Sequence, residues 1–263
     1  MSTEISNIVL KTENLSIGYR KKNEQQIVAS GINIEVYPGE LVAVIGVNGS
    51  GKSTLLKTLS GIIKSIDGEV FIDKNKLSNI EPDKLSKDVS LVLTEQMLSK
   101  NLSVIELVAL GRQPYTNWIG RLTKNDLKKI MHAIQLVNIE DIKNKKCHEL
   151  SDGQFQKVLI ARALAQDTSL IILDEPTTHL DLYHKAYVLK LLQKLSKETN
   201  KAILFASHEI NLALQLCDKL LILKDNKTLF GTPAELIKTD VLSNLFPKQL
   251  IHFDKESSSF KIK

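Results

Sequence analysis

The chain has few of the features that mark secreted, metal-binding or membrane-spanning proteins. It contains only two cysteines, Cys147 and Cys217, far apart and without a C-x-x-C spacing, so we predict inert thiols and neither a disulfide framework nor a zinc site. No apolar run approaches the ~18 residues that cross a bilayer, and residues 1–14 lack the basic and apolar regions of a secretory leader. We therefore expect the chain to remain in the cytoplasm unless a partner holds it at a membrane.

Strong charge and internal repetition are also absent. The net charge is +5, and its densest clusters, residues 20–22 and 143–146, contain no aromatic residues between the basic ones. Proteins that bind single-stranded nucleic acid usually combine basic residues with aromatic residues that stack on the bases, so we expect no nucleic acid partner. No repeat of about 20–50 residues is found. With 263 residues and 43% hydrophobic content, the chain can bury a substantial core, as one large domain or as a core with an inserted subdomain.

The most informative stretch is residues 46–54, which match the phosphate-binding pattern G-x-x-x-x-G-K-S/T at every fixed position. An apolar run, 41–45, precedes it as a buried strand would, and apolar residues follow at helical spacing. Its glycines let backbone N–H groups turn toward a phosphate, which the positive end of the following helix also favours. We expect Lys52 to contact the β- and γ-phosphates of ATP and Ser53 to bind Mg²⁺. The candidate nucleotide-binding residues of this loop are Gly46, Asn48, Gly49, Ser50, Gly51, Lys52, Ser53 and Thr54.

A second apolar run, residues 170–173, ends in two carboxylates, Asp174 and Glu175. An acidic residue at the C-terminal end of a parallel strand, beside the strand that leads into a phosphate loop, lies where ligands bind in open α/β sheets. We predict that Asp174 binds Mg²⁺ opposite Ser53, and that Glu175 accepts a proton from the water that attacks the γ-phosphate. His208 also follows an apolar run, and its position favours a role at the γ-phosphate over an ordinary surface histidine.

The pattern of apolar residues is strand-like towards both ends of the chain and helical in the middle. Alternation predicts strands at residues 8–20 and 27–37, and we expect further short strands at 68–73, 89–93 and 220–223. From about residue 97 to 158 the spacing becomes helical, which predicts an inserted helical segment.

Sequence signals also mark the ends and faces of individual helices. Capping boxes open two helices at Ser103 and Thr123. One further helix is predicted at 233–245, and no structure is predicted for the end of the chain. The apolar stripe expected for the helix that begins at Thr123 is Leu127, Ile130, Met131 and Ile134.

Three aromatic residues permit two interpretations each. Tyr19 ends the first predicted strand, where it either stacks on an adenine ring or is an ordinary half-buried strand residue, and the spacing favours the second. Tyr115 and Trp118 lie in the loop between the two capped helices. They either form a docking surface or pin the helices together, and the spacing leaves both interpretations open.

Taken together, these motifs resemble the ATP-binding cassette (ABC) family in their order and approximate spacing. The pentapeptide Leu-Ser-Asp-Gly-Gln at 150–154 makes the resemblance specific, because among phosphate-loop enzymes only this family has an L-S-G-G-Q-like sequence. The resemblance implies an α/β fold with a P-loop NTPase (RecA-like) core, an antiparallel β subdomain and an inserted α-helical subdomain. The implied domain is 1–250, with the core and β subdomain at about 1–96 and 159–250, the helical subdomain at about 97–158, and a C-terminal tail at 251–263.

The family resemblance also implies residue roles and partners. Two copies are expected to assemble head to tail as a homodimer, with each ATP held between the phosphate loop of one copy and residues 150–154 of the other. Tyr19 would then stack on adenine, Gln96 would contact Mg²⁺ and the attacking water, Asp181 would contact the partner, and His208 would sense the γ-phosphate. The residues expected to reach the partner's nucleotide are Ser151, Gly153 and Gln154.

A narrower resemblance comes from residues 109–114, Ala-Leu-Gly-Arg-Gln-Pro. They are similar to the ATPase subunits of bacterial importers for ferric siderophores, haem and vitamin B12. This implies an integral-membrane permease that docks near the helical subdomain, an extracytoplasmic substrate-binding protein, and a peripheral position on the cytoplasmic face of the plasma membrane.

Two residues depart from the family pattern. Asp152 replaces the usual first glycine of the pentapeptide, and Glu95 stands where proline is common.

A non-transport cassette protein acting on ribosomes or DNA is disfavoured, because such chains carry two cassettes or a long coiled-coil insertion, whereas this one has a single cassette without heptads.

Overall fold

The computed structural model describes residues 8–21, 24–93, 101–239, 241–246 and 249–263, and it confirms the α/β class. Short 3₁₀ helices, among them Leu110–Tyr115, connect some of the elements. The strands and α-helices in chain order are β1 (Leu10–Lys21), β2 (Glu24–Val36), β3 (Leu41–Gly46), α1 (Lys52–Leu59), β4 (Asp67–Ile72), β5 (Asn75–Lys76), α2 (Pro82–Asp88), β6 (Val89–Val92), α3 (Val104–Ala109), α4 (Lys124–Leu136), α5 (Asp152–Ala165), β7 (Leu170–Leu173), α6 (Leu182–Thr199), β8 (Ala202–Ser207), α7 (Ile210–Leu216), β9 (Lys219–Lys224), β10 (Lys227–Gly231), α8 (Pro233–Lys238), β11 (Ile251–Asp254) and β12 (Ser259–Ile262).

The main sheet has the strand order β10-β9-β3-β8-β7-β6, and all its neighbouring strands are parallel except β10 and β9. Strands β3, β7 and β8 are buried along their whole length, as expected for a parallel sheet covered on both faces. The strand that ends at Asp174 was predicted to lie beside the strand that leads into the phosphate loop. That prediction is wrong, because β8 lies between β3 and β7.

A second, antiparallel sheet of order β2-β1-β4-β5 covers one face of the main sheet. Alternate residues of β3 belong to two separate cores. Leu41, Ala43 and Ile45 pack with the helices of the middle of the chain, whereas Val42 and Val44 pack with α1 and the antiparallel sheet. Side chains that alternate between two cores are typical of a strand that lies between two layers. Packing on both faces fixes β3 in place, and with it the start of the phosphate loop.

The helices predicted between residues 97 and 158 are present, and both predicted capping boxes are confirmed. The predicted stripe of α4 is wrong at Leu127, whose side chain is 48% exposed. Asp126 takes the inward position instead, and the buried residues 126, 130, 133 and 134 follow helical spacing. A polar residue thus holds a position that hydrophobicity alone would give to its neighbour.

Asp126 is buried because Arg112 neutralises it. The guanidinium Nε of Arg112 lies 2.9 Å from Asp126 Oδ1, and its Nη1 donates to the carbonyl of Ala165 at 2.8 Å. Hydrogen bonds from Thr123 and the ion pair with Arg112 lower the pKa of Asp126 despite its burial. A Cβ on Gly111 would overlap the carbonyl oxygen of Arg162. Gly111 and Arg112, which belong to the segment 109–114 that resembles the importer subunits, therefore connect α4 to the end of α5.

Replacement of Asp126 by alanine is expected to lower the free energy of unfolding by about 3–5 kcal/mol, because it leaves the buried Arg112 charge without its partner. Urea unfolding monitored by circular dichroism measures the change. The neighbouring exposed residue provides the control, since Asn125→Ala should stay within about 0.5 kcal/mol of wild type. Equal stability of the two variants would contradict the structural role of the pair.

The C-terminal region differs from the sequence prediction in two respects. The helix predicted at 233–245 ends at Lys238, because Thr239 adopts an extended conformation. Residues 251–262 form a hairpin of β11 and β12, for which no structure was predicted. Phe253 is buried against Phe260, and the backbone of Phe260 is hydrogen-bonded by the side chain of Asn211 in α7. None of the helices in the described ranges is both long and apolar enough to span a bilayer.

Candidate nucleotide site

The phosphate loop runs from the end of β3 at Gly46 to the start of α1 at Lys52. Gly51 has a φ of 100°, in the left-handed region that favours glycine, and a Cβ there would also overlap the side chain of Val28. The hydroxyl of Ser50 is buried without a hydrogen-bond partner among the described residues. The loop is therefore a tight backbone cradle that retains unused polar groups, as an anion-binding loop requires.

Lys52 is a buried cation at the base of this loop, with 5% of its side chain exposed. Its ammonium donates to the carbonyl of Gly46 at 3.0 Å and lies 4.0 Å from Glu175 Oε1. Burial lowers the pKa of Lys52, while the carboxylates of Glu175 and Asp174 oppose this effect. A buried cation of this kind is suited to the phosphates of a nucleotide.

Ser53 and Asp174 lie together at the edge of the main sheet where β3 and β7 end. The Ser53 hydroxyl donates to Asp174 Oδ1 at 3.1 Å, so two oxygen atoms that could bind a metal ion are close to each other. Burial raises the pKa of Asp174, and the hydrogen bond from Ser53 opposes this rise only in part. Within the described ranges, no group of three or more His, Cys, Asp or Glu residues is arranged to hold a metal. The pair fits Mg²⁺, which takes one or two protein oxygens and completes its shell with phosphates and water.

Glu175 follows Asp174 in a left-handed conformation, with a φ of 47°. This conformation is uncommon outside glycine and often marks a functional position. Glu175 Oε1 lies 2.6 Å from His208 Nε2, and Glu175 Oε2 accepts a hydrogen bond from Thr178 at 3.2 Å. The carboxylate thus touches two groups and approaches Lys52, so both of its oxygens are fixed beside the phosphate loop.

Most of the predicted nucleotide-binding residues line one cleft of about 410 Å³, although Gly46, Ser50 and Asp174 are not among its lining residues. Tyr19 lies at its edge, 44% exposed, with its hydroxyl 2.8 Å from that of Thr54. Sequence reasoning missed Gln26 and Val28. The signal that could have found Gln26 is the pairing of β1 with β2, which places it opposite Tyr19. The lining residues are Tyr19, Gln26, Val28, Asn48, Gly49, Gly51, Lys52, Ser53, Thr54, Glu175 and His208.

Four further candidates, Ser151, Gly153, Gln154 and Asp181, form a second cluster that does not line this cleft. Ser151 is the N-cap of α5 and makes reciprocal hydrogen bonds with Gln154. Asp181 accepts a hydrogen bond from the backbone N–H of His184, whose ring Nδ1 lies 2.9 Å from the same carboxylate. A Cβ on Gly153 would closely approach the His184 ring. The His184 ring therefore connects Asp181 to the pentapeptide.

Of the two residues that depart from the family pattern, Asp152 and Glu95, the structure describes only Asp152. Asp152 is exposed in the first turn of α5, where the helix dipole favours a carboxylate. Its side chain can face water, and the helix gains a favourable end charge. Gln96 and Glu95 lie outside the described residues, so their predicted roles stay predictions.

Replacement of Asp174 by asparagine is expected to stabilise the nucleotide-free protein while abolishing ATP hydrolysis. A buried carboxylate carries a desolvation penalty that a neutral amide of the same shape avoids, but the amide is a poor ligand for Mg²⁺. Thermal unfolding in EDTA and phosphate release with Mg²⁺ measure the two effects. A variant that is less stable than wild type, or equally active, would contradict this account of Asp174.

Comparison with known families shows where these features recur. The family model described as ABC transporter matches residues 29–178. The chain is 41% identical over 256 residues to an uncharacterized ABC transporter ATP-binding protein of Methanocaldococcus jannaschii, covering 97% of this chain and 87% of that protein. It is 36% identical over 238 residues to the iron(3+)-hydroxamate import ATP-binding protein of Bacillus subtilis, covering 90% and 87% respectively.

Solved structures of similar fold include an ABC transporter assigned to the metal-chelate type, in an inward-facing conformation. It has a TM-score of 0.78 at 30% identity and covers 97% of this chain and 96% of its own. A dimeric bacterial ABC transporter cassette has a TM-score of 0.72 at 29% identity and covers 85% and 98%. Together with the two sheets described above, these likenesses confirm the predicted P-loop NTPase fold.

Proposed function

This chain belongs to the ABC transporter family as one of its ATP-hydrolysing subunits, and we propose that it energises an importer of ferric siderophores, haem or cobalamin. The observation that carries the choice of substrate is the 36% identity, over 90% of the chain, to the iron(3+)-hydroxamate import ATP-binding protein. Ferric hydroxamates are therefore the first substrates to test.

The residues of the cleft, together with Asp174, support the following route for ATP hydrolysis. The phosphate loop and Lys52 bind the β- and γ-phosphates, and Glu175 accepts a proton from a water molecule. The water oxygen bonds to the γ-phosphorus as the bond to the β–γ bridging oxygen breaks, which releases phosphate and ADP. His208 senses the γ-phosphate, and its 2.6 Å contact with Glu175 also orients that carboxylate. Mg²⁺, held by Ser53 and Asp174, would neutralise phosphate charge when bound. We further propose that Tyr19 stacks on adenine and that Gln96 contacts the ion and the water.

Two copies are needed to use the second cluster, because Ser151, Gly153, Gln154 and Asp181 do not line the cleft of their own chain. A head-to-tail dimer would present the N-terminus of α5, with its N–H groups and positive dipole, to the partner's γ-phosphate. The dimeric cassette of similar fold supports the assembly of two copies. The dimer would be peripheral on the cytoplasmic face of the plasma membrane, bound to a permease that an extracytoplasmic binding protein supplies.

Uptake by intact cells tests the proposed substrate class. Cells that lack this chain should fail to accumulate radioactive iron supplied as ferric hydroxamate, and expression of the wild-type chain should restore uptake, while uptake of an amino acid stays unchanged. Haem and cobalamin are assayed in parallel. Normal accumulation of all three compounds in the deletion strain would overturn the proposed substrate class, although not the ATPase assignment. Co-purification with ribosomes or DNA would instead support the alternative function.

A further inference from the structure

Two apolar side chains stand at the tip of the loop that joins the 3₁₀ helix Leu110–Tyr115 to α4. Trp118 is 94% exposed and Ile119 is 69% exposed. Tyr115 behaves differently, because its ring packs on Arg112 with the guanidinium carbon 3.8 Å from the ring centre. The interpretation that both aromatic residues pin the helices is therefore wrong for Trp118, which packs against neither helix.

The backbone of this tip is held in place by its own hydrogen bonds. Asn117 Oδ1 accepts from the N–H groups of Ile119 at 3.2 Å and Arg121 at 3.1 Å. The carbonyl of Asn117 accepts from Gly120 at 2.8 Å, and Gly120 has a φ of 75°. Exposure of Trp118 and Ile119 is thus a property of an organised turn that fixes them outward.

The loop and the first turns of α4 carry positive charge on their exposed side. Arg121, Lys124 and Lys128 are exposed, and no ion pair within the described ranges neutralises any of them. Asp126 is the single acidic residue from 107 to 139, and it is buried against Arg112. The water-facing charge of the loop and of the first turns of α4 is therefore cationic.

We propose that the Trp118–Ile119 tip is a membrane anchor that inserts into an anionic lipid surface. Tryptophan partitions to the headgroup level of bilayers, where its ring is buried and its N–H stays hydrated. Basic residues beside it are attracted to anionic lipids. A protruding tip of two apolar residues matches a lipid surface better than a protein partner, which would need a larger complementary surface. The anchor would orient the subunit on the bilayer in addition to any permease contact.

Trp118 is the only tryptophan of the chain, so its fluorescence reports on the tip alone. We mix the purified full chain with vesicles of phosphatidylcholine, with or without phosphatidylglycerol. The expected result is a blue shift of emission and co-sedimentation with the anionic vesicles, both reversed by high salt. Lys124→Glu should weaken binding about fivefold or more, and Ile119→Glu about tenfold. Neither variant should alter basal ATP hydrolysis, because neither residue lines the nucleotide cleft.

A matched control uses the same substitution at another exposed isoleucine. Ile262, in β12, is 77% exposed, and Ile262→Glu should bind vesicles as the wild type does. Absence of a shift with anionic vesicles would overturn the proposal. So would a shift that occurs only when a detergent-solubilised permease is added, which would show a protein contact, or unchanged binding of Ile119→Glu, which would place the lipid contact elsewhere.

Discussion

Replacement of Glu175 by glutamine is expected to slow ATP turnover by about 10²- to 10⁴-fold, the usual contribution of a general base, while leaving ATP binding intact. Glutamine keeps the shape of the side chain and an oxygen that can face His208, which lies 2.6 Å from the carboxylate in the wild type. It lacks the basicity needed to take a proton from water. Phosphate release measures turnover, and equilibrium binding of a fluorescent ATP analogue measures affinity.

The same variant should accumulate as an ATP-bound dimer, because hydrolysis is the step that reopens the closed state. Size-exclusion chromatography with Mg²⁺ and ATP detects this species. Glu198→Gln is the control, since Glu198 lies on the surface of α6 in an ion pair with Lys194 and should leave turnover unchanged. Wild-type turnover by Glu175→Gln would exclude Glu175 as the base, and the proton would then need another acceptor in the cleft.

The parts of the fold that the sequence predicts are those whose signals are local. The phosphate loop is recognisable because its glycines, Lys52 and Ser53 stand at fixed spacing between a strand and a helix. Asp174 directly follows an apolar run, and His208 follows one after a single serine. Both positions predict a place at the edge of the sheet, where ligands bind. Capping boxes fixed the starts of α3 and α4 to the residue, since cap and partner are three positions apart.

The parts that the sequence did not predict depend on contacts between distant segments. The insertion of β8 between β3 and β7 is a property of strand order, which no local pattern encodes. Arg112 is held by the carbonyl of Ala165, and Asn211 by the backbone of Phe260. Such residues look like ordinary polar residues in the sequence, and their roles emerge only when the chain is folded.

Two inactive variants are expected to restore activity to each other when mixed, if each nucleotide is held between two copies. Lys52→Ala removes the phosphate-loop cation, and Gly153→Glu places a second carboxylate beside Asp152, facing the partner's γ-phosphate. Each homodimer has two defective sites. A mixed dimer combines both defects in one site and leaves the other site intact, so a statistical mixture should reach about a quarter of the wild-type rate if the sites act independently.

Phosphate release from the two variants, refolded or co-expressed together, measures this recovery. A mixture of Lys52→Ala with Lys52→Met is the control and should stay inactive, because every site in every dimer then lacks the cation. Circular dichroism confirms that Gly153→Glu is folded, which is expected because glutamate is favourable in the first turn of a helix, and because the His184 ring that the new Cβ would approach is half exposed and can move aside. If the first mixture stays as inactive as the control, Lys52 and Gly153 do not serve opposite halves of a shared site, and the head-to-tail arrangement is wrong.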